Sequence, residues 1–167
     1  MVSKRYDIYV DGSFSKLNPR ETFGAVIVLK DGNPVTSQRF RILDPCMVKM
    51  RNVGGELVAA VMSQVIIKNI LGKGTKDISN VYLYYDYEGI KQFAILGGWH
   101  AEKEGAKKYQ QFMMGVQNVA PVIRLSYVKV QAHTGVKWNE AVDALANGIV
   151  KDELKDTYGG CTDIEVF

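Results

Sequence analysis

The order in which strand-forming and helix-forming segments follow one another constrains the fold of this chain more than any other feature of its sequence. Tyr6 to Val10 alternates polar with apolar and β-forming residues, Phe23 to Leu29 is β-branched and apolar, and Val35 to Ile42 alternates again. Asp31-Gly32-Asn33-Pro34 supplies turn chemistry between the second and third of these runs. Three strands joined by short links predict an antiparallel meander. Glu56 to Leu71 then reads as a helix, with Leu57, Val58, Val61, Met62, Val65, Ile66 and Ile70 in a broad apolar stripe and a stop at Gly72-Lys73-Gly74. Val81 to Tyr85 is a fourth strand. A helix from Glu88 to about Leu96 follows, then Gly97-Gly98 and a charged helix from about Ala101 to Met114. Val122 to Val130 is a fifth strand, and Trp138, Val142, Leu145 and Ile149 give a last helix one apolar face. The predicted fold class is α/β: a mixed five-stranded sheet, three strands antiparallel and then two parallel, flanked by helices on both faces. Periodicity is lost from about Asp156, so 1–155 reads as one domain and 156–167 as a C-terminal tail.

Composition agrees with a single domain. At 167 residues, 47% hydrophobic and 23% charged, the chain has material for one well-buried core and too little for two ordinary domains. The net charge is +3 with a pI near 8.8, so any footprint for a polyanion must come from clustered Lys and Arg and not from total charge. Met1-Val2-Ser3-Lys4-Arg5 runs into a strand without an apolar leader core, and no window reads as long enough to span a membrane; the expectation is a soluble, cytoplasmic chain. Cys46 and Cys161 lie far apart without metal-ligand spacing, and two reduced thiols are expected in preference to a disulfide.

The predicted topology converges four carboxylates. Right-handed crossovers make the fourth and fifth strands parallel to the first, so Asp11 and Asp86, at strand ends, share one edge of the sheet. Ligands of open sheets bind beyond that edge. Glu56 opens the first long helix, and Asp143 shares a helical face with Asn139 and Asn147, away from Trp138, Val142 and Leu145. Singly, each acid has an ordinary explanation as a turn, cap or solvated residue. Jointly, they place like charges within a few ångströms, which repulsion forbids unless a proton or cation sits among them. A hard divalent metal site is the expectation.

Val10-Asp11-Gly12-Ser13, Asn52-x-x-Gly55-Glu56-Leu57-x-Ala59-Ala60, Tyr85-Asp86-Tyr87-Glu88-Gly89-Ile90 and Val130-x-Ala132-His133-x(5)-Asn139-Glu140-x-x-Asp143-x-Leu145-Ala146 resemble, in order and spacing, the motifs of type 1 ribonuclease H. The resemblance covers essentially the whole chain. The run Tyr85 to Ile90 and the short Gly98-Trp99-His100-Ala101 segment look most like bacterial and viral forms with a reduced substrate-binding protrusion. The resemblance implies a ribonuclease H-like fold and endonucleolytic hydrolysis of the RNA strand of RNA–DNA hybrids, leaving 5′-phosphate and 3′-hydroxyl ends. It also implies that Asp11, Glu56, Asp86 and Asp143 bind two Mg²⁺ ions with substrate, with Mn²⁺ as a substitute. Asp11 would bridge, Glu56 and Asp86 would serve the nucleophile side, and Asp143 the leaving-group side. Two metals about 3.5–4 Å apart suit a phosphodiester, whose hydrolysis needs an activated water and charge neutralisation at the leaving oxygen. His133 would relay a proton or assist product departure, since its ordinary pKa is close to working pH.

For the substrate, Gly12 permits close backbone approach, while Ser13, Asn52 and Asn139 offer hydrogen bonds to sugar hydroxyls or phosphates. Trp99, followed by Lys103, Lys107 and Lys108, is a candidate platform for the DNA strand, and Arg51 stands where the family often has a small hydroxyl residue near a DNA phosphate. The expected partner is an RNA–DNA hybrid, with no membrane, no obligatory protein partner and a monomeric state. A catalytically silent hybrid-binding module of the same fold is the alternative, followed by an exonuclease or integrase of related architecture. An actin-like or sugar-kinase ATPase would need phosphate loops in a second half that a chain of this length does not hold.

Overall fold

The computed structural model describes residues 4–72, 80–95, 101–131 and 136–167. Its strands are β1 (Tyr6–Ser13), β2 (Thr22–Lys30), β3 (Asn33–Ile42), β4 (Val81–Tyr85), β5 (Leu125–Lys129) and β6 (Tyr158–Ile164). The helices are α1 (Pro45–Val48), α2 (Asn52–Leu71), α3 (Gly89–Gln92), α4 (Glu104–Gln117) and α5 (Lys137–Ala146). The six strands form one sheet in the order β5-β4-β1-β2-β3-β6. β1–β2 and β2–β3 are antiparallel, whereas β1–β4, β4–β5 and β3–β6 are parallel, so β2 alone runs against the rest. Asp31 and Gly32, at φ 50° and 83°, make the two-residue turn between β2 and β3 that matches strand twist.

Alternation along the strands separates two cores. Ile8, Val10, Val26, Val28, Phe40 and Ile42 pack with Leu57, Val61, Tyr109 and Met113 beneath α2 and α4. Tyr9, Ala25, Ile27 and Leu29 face the other way, against Val142, Leu145 and Leu154 around α5. The α/β mixed sheet with helices on both faces is therefore as the segment order predicts. Both cysteine thiols are free.

Four details correct the sequence reading. First, the sheet has a sixth strand: 158–164, expected as tail, lies parallel along β3 from Ser37↔Tyr158 to Ile42↔Ile164. Gly159 and Gly160 hide it from any periodicity, and its partner is remote in sequence. Second, α2 begins at Asn52 and not at Glu56. Third, α3 is a single turn, with Leu96 outside the described residues, and α5 ends at Ala146, leaving Ile149 59% exposed. Fourth, α2 is by length and composition apolar enough to cross a membrane, but 67% of its apolar window is buried, as expected for a helix that lies in a protein core. Its one buried cation, Lys68, donates to the carbonyls of Val116, within the last turn of α4, and Val119, just beyond its end.

Glycines explain why α2 starts early in spite of poor local propensity. A Cβ on Gly55 would stand 1.9 Å from the Phe23 carbonyl oxygen, one on Gly24 2.4 Å from the Gly55 carbonyl oxygen, and one on Gly12 2.0 Å from the Asn52 carbonyl oxygen. The first turns of α2 thus lie directly on the backbones of β1 and β2, a tertiary fit that outweighs the cost of about 1 kcal/mol per helical glycine. Gly55→Ala should lower stability by about 3 kcal/mol, or ~6–12 °C in Tm for a chain of this size. Gly32→Ala, with nothing within 4 Å of its Cβ, should cost only the ~1–2 kcal/mol of its left-handed backbone. Thermal melts of the two variants check the difference.

Candidate active site

The parallel pairing of β1 with β4 runs to Tyr9↔Tyr84, and continuing it by two residues sets Asp11 beside Asp86 at the carboxyl edge. Glu56 comes up from α2 between them. Its carboxylate is buried, accepting from the amide of Asp86 at 3.1 Å through Oε1 and from the amide of Tyr87 at 2.9 Å through Oε2. Asp11 Oδ1 accepts from the Gly12 amide at 2.8 Å. Asp143 reaches the same place from α5, close enough for its charge and a shared hydrogen bond to act on Asp11. A cleft of about 310 Å³ is lined by Asp11, Asn52, Glu56, Asp86, Glu88 and Lys129, among others.

The electrostatics follow from burial and crowding. Burial is the main cause that pushes the Asp11 carboxyl up to about 7; the Gly12 amide opposes this, and the charges of Asp143 and Asp86 add to it. Burial likewise pushes Glu56 up to about 8, against the two amides and with the charges of Asp11 and Asp86 adding. Among the described residues none of the four carboxylates is in an ion pair. The donor set is all oxygen, as a hard divalent cation requires. Among the described residues no three Asp, Glu, His or Cys side chains are grouped around a single ion's position, and both Glu56 oxygens take the amides of Asp86 and Tyr87 just beyond β4.

The remaining sequence-chosen residues have varied surroundings. Gly12 is needed for the approach of α2 to β1. Ser13 donates to Asn147 Oδ1 at 2.6 Å. Asn52 is exposed at the start of α2 and lines the cleft, and Asn139 is half-buried on α5. Arg51 is exposed, its guanidinium 5.7 Å from the Phe14 ring centroid, and its own carbonyl accepts from Thr22 Oγ1 at 2.8 Å. Trp99 and His133 lie outside the described residues. Sequence reasoning passed over two neighbours of the cleft, Lys129 and Glu88, which pair at 3.7 Å across its rim. Their signal was positional, since Lys129 ends the strand beside β4 and aligns with Tyr85.

Two outcomes are expected. Asp11 and Glu56, held above the ordinary carboxylate range, bind protons in the folded chain that the unfolded chain releases. Their contribution to stability is complete below about pH 4 and is lost as pH rises through about 7 to 8. In chelator, Asp11→Asn should therefore match the parent near pH 4 and exceed its stability by about 2 kcal/mol or more near pH 8, as read by urea unfolding. Arg51 holds φ 57° immediately before α2, a strained conformation for a residue with a Cβ. Arg51→Gly should gain about 1 kcal/mol, the relief of strain exceeding the entropy cost of glycine, as read by the same unfolding curves.

No family model matches this sequence, and no curated protein matches it either. Solved structures do resemble it. LC11-RNase H1, isolated from compost and crystallised with an RNA/DNA hybrid, superposes with a TM-score of 0.67 at 18% identity, covering 87% of this chain and 96% of that one. RNase H1 from the halophilic archaeon Halobacterium salinarum gives 0.64 at 21% identity, covering 86% and 95%. The N-terminal RNase H domain of a Mycobacterium tuberculosis protein gives 0.65 at 15% identity, covering 87% and 93%. With sequences so divergent and backbones shared over nearly the whole of both chains, the protein has the α/β fold of the type 1 ribonucleases H.

Proposed function

We propose that the protein is a metal-dependent endonuclease that hydrolyses the RNA strand of RNA–DNA hybrids, leaving 5′-phosphate and 3′-hydroxyl ends. The observation that carries this reading is the convergence of Asp11, Glu56, Asp86 and Asp143 at the carboxyl edge of a ribonuclease H fold, without a cation paired to any of them among the described residues. A phosphodiester brings still more negative charge to that cleft, so substrate and acids oppose one another until divalent cations neutralise both. Asp11, Glu56, Asp86 and Asp143 are the residues that would hold Mg²⁺, or Mn²⁺ in its place. When bound, such ions supply an activated water and neutralise the leaving oxygen.

The chain's own groups do the rest. Glu56, by accepting two β4-end amides, fixes the backbone from which Asp86 projects. Asn52, Ser13 and Asn139 present amide and hydroxyl groups suited to sugar hydroxyls, the feature that separates ribose from deoxyribose. Lys129 offers a phosphate contact on the rim, at the cost of its pairing with Glu88. In this reading His133 relays a proton, and Trp99 and Arg51 support the DNA strand. A second reading, a module that binds hybrid without cutting it, draws on the absence among the described residues of three ligands already gathered around one ion position.

One assay separates the two. A labelled RNA–DNA hybrid, with RNA–RNA and DNA–DNA controls, is incubated with and without Mg²⁺. Cleavage confined to the RNA strand of the hybrid, abolished by chelator and reduced about a thousandfold or more by Asp11→Asn with the fold retained, is the expected result. Hybrid bound but left intact in Mg²⁺ and in Mn²⁺ would select the binding module.

A further inference from the structure

The end of α5 is held to the sheet from two sides. The helix closes with Gly148 at φ 89°, its amide donating to Leu145 O at 2.9 Å, and with the Ile149 amide donating to Ala144 O at 2.8 Å. This is a complete Schellman closure, and it leaves the Ala146 carbonyl to be met from outside the helix. Arg39 on β3 meets it with Nε at 3.2 Å and Nη2 at 3.1 Å, its guanidinium lying 3.7 Å from the Phe23 ring centroid.

On the β1 side the link is Asn147. Its Nδ2 donates to the Asp143 carbonyl at 2.9 Å. A carbonyl only accepts, so the amide orientation is fixed, and Oδ1 must face Ser13, whose hydroxyl donates to it at 2.6 Å. Ser13 follows Asp11 by two residues on β1 and points to the same face of the sheet. Asn147 itself has φ −85° and ψ 4°, a conformation open to any residue, so helix termination does not call for asparagine here. A continuous path therefore runs from the strand of Asp11, through Ser13 Oγ and the Asn147 amide, to the backbone of Asp143.

We infer that Asn147 is a positioning residue, which with Ser13 on one side and Arg39 on the other fixes where Asp143 stands relative to Asp11. The inference rests on the hybrid-cleaving reading insofar as it concerns metal binding. It also gives the Ser13 hydroxyl an intramolecular task in the free protein.

The experiment compares the parent chain with Asn147→Ala, Ser13→Ala and the double variant in three measurements. These are Mn²⁺ titration without nucleic acid, steady-state hybrid cleavage, and amide hydrogen exchange of the metal-free protein. Asn147→Ala should weaken Mn²⁺ binding about tenfold and lower kcat with KM for hybrid unchanged, as loss of an outer support for a ligand does. The double variant should be no worse than the weaker single one, because both remove the same link. Ser13→Thr, which keeps the hydroxyl, should recover most of the affinity lost in Ser13→Ala. Amides of the last turn of α5 should exchange faster in Asn147→Ala. Faster exchange with unchanged Mn²⁺ affinity would reduce Asn147 to a helix-end support and overturn the inference, as would unchanged exchange. A parent chain that neither binds Mn²⁺ nor cuts hybrid would defeat the proposed function instead, and the clamp would then stand only if Ser13→Ala speeds exchange in the last turn of α5 as Asn147→Ala does, because a residue that merely ends the helix needs no partner on β1.

Discussion

The contact on which the rest of the structure depends is the one between the first turns of α2 and the backbones of β1 and β2. With Gly12, Gly24 and Gly55 at the interface, helix and sheet approach to a separation that no side chain permits. That approach carries Glu56 under the strand ends, where its two oxygens take the amides of Asp86 and Tyr87. One carboxylate thereby ties α2 to β4 across β1. A helix set back by the thickness of a methyl group would leave the buried Glu56 carboxylate without these partners, at a cost of about 1–3 kcal/mol or more.

Around this tie the fold divides its labour by face. The α2 and α4 side contains the larger apolar cluster, while α5 covers the other side and delivers the fourth acid. The repulsion concentrated at the carboxyl edge is a local cost, and the two cores offset it. Asp44 shows the ordinary alternative: buried, it caps α1 through the amides of Cys46 and Met47 and pairs with Lys108 at 2.8 Å. The hydrogen bond to Lys108, with the amides around it, outweighs burial and holds the Asp44 carboxyl below its ordinary range. The contrast between Asp44, lowered, and Asp11 and Glu56, raised, separates an acid that has a cation partner from acids that crowd one another without one among the described residues.

Much of this was legible in the sequence because it is local. Alternation located β1 and β3, a β-branched apolar run located β2, Asp31-Gly32 announced the turn, and right-handed crossovers put Asp11 and Asp86 on one edge of the sheet. What was not legible depends on distant partners. Gly54-Gly55 reads as a break in a helix until the strands beneath it are known. β6 carries two glycines and pairs with β3 over a separation of more than a hundred residues. Ile149 continues the apolar face of α5 on paper, yet Gly148 turns the chain before it can be buried. The amide of Asn147 is the clearest case: as a residue type it is an ordinary helix end, and only the fold brings Ser13 to the oxygen that its bond to the Asp143 carbonyl leaves facing β1.

The reversed direction of β2 has a temporal corollary. β1, β2, β3, α1 and α2 follow one another in the chain and contain the tightest glycine contacts among the described residues, so the most apolar helix meets the backbones of β1 and β2 before α4 adds to its cover. β1, however, pairs with β2 on one side only until β4 arrives on the other. Asp11 and Glu56 thus precede residues 86 and 143 in the chain, and the fourth acid comes on α5, the same helix whose Val142 and Leu145 close the second core. The last like charge therefore comes with the packing that withstands it.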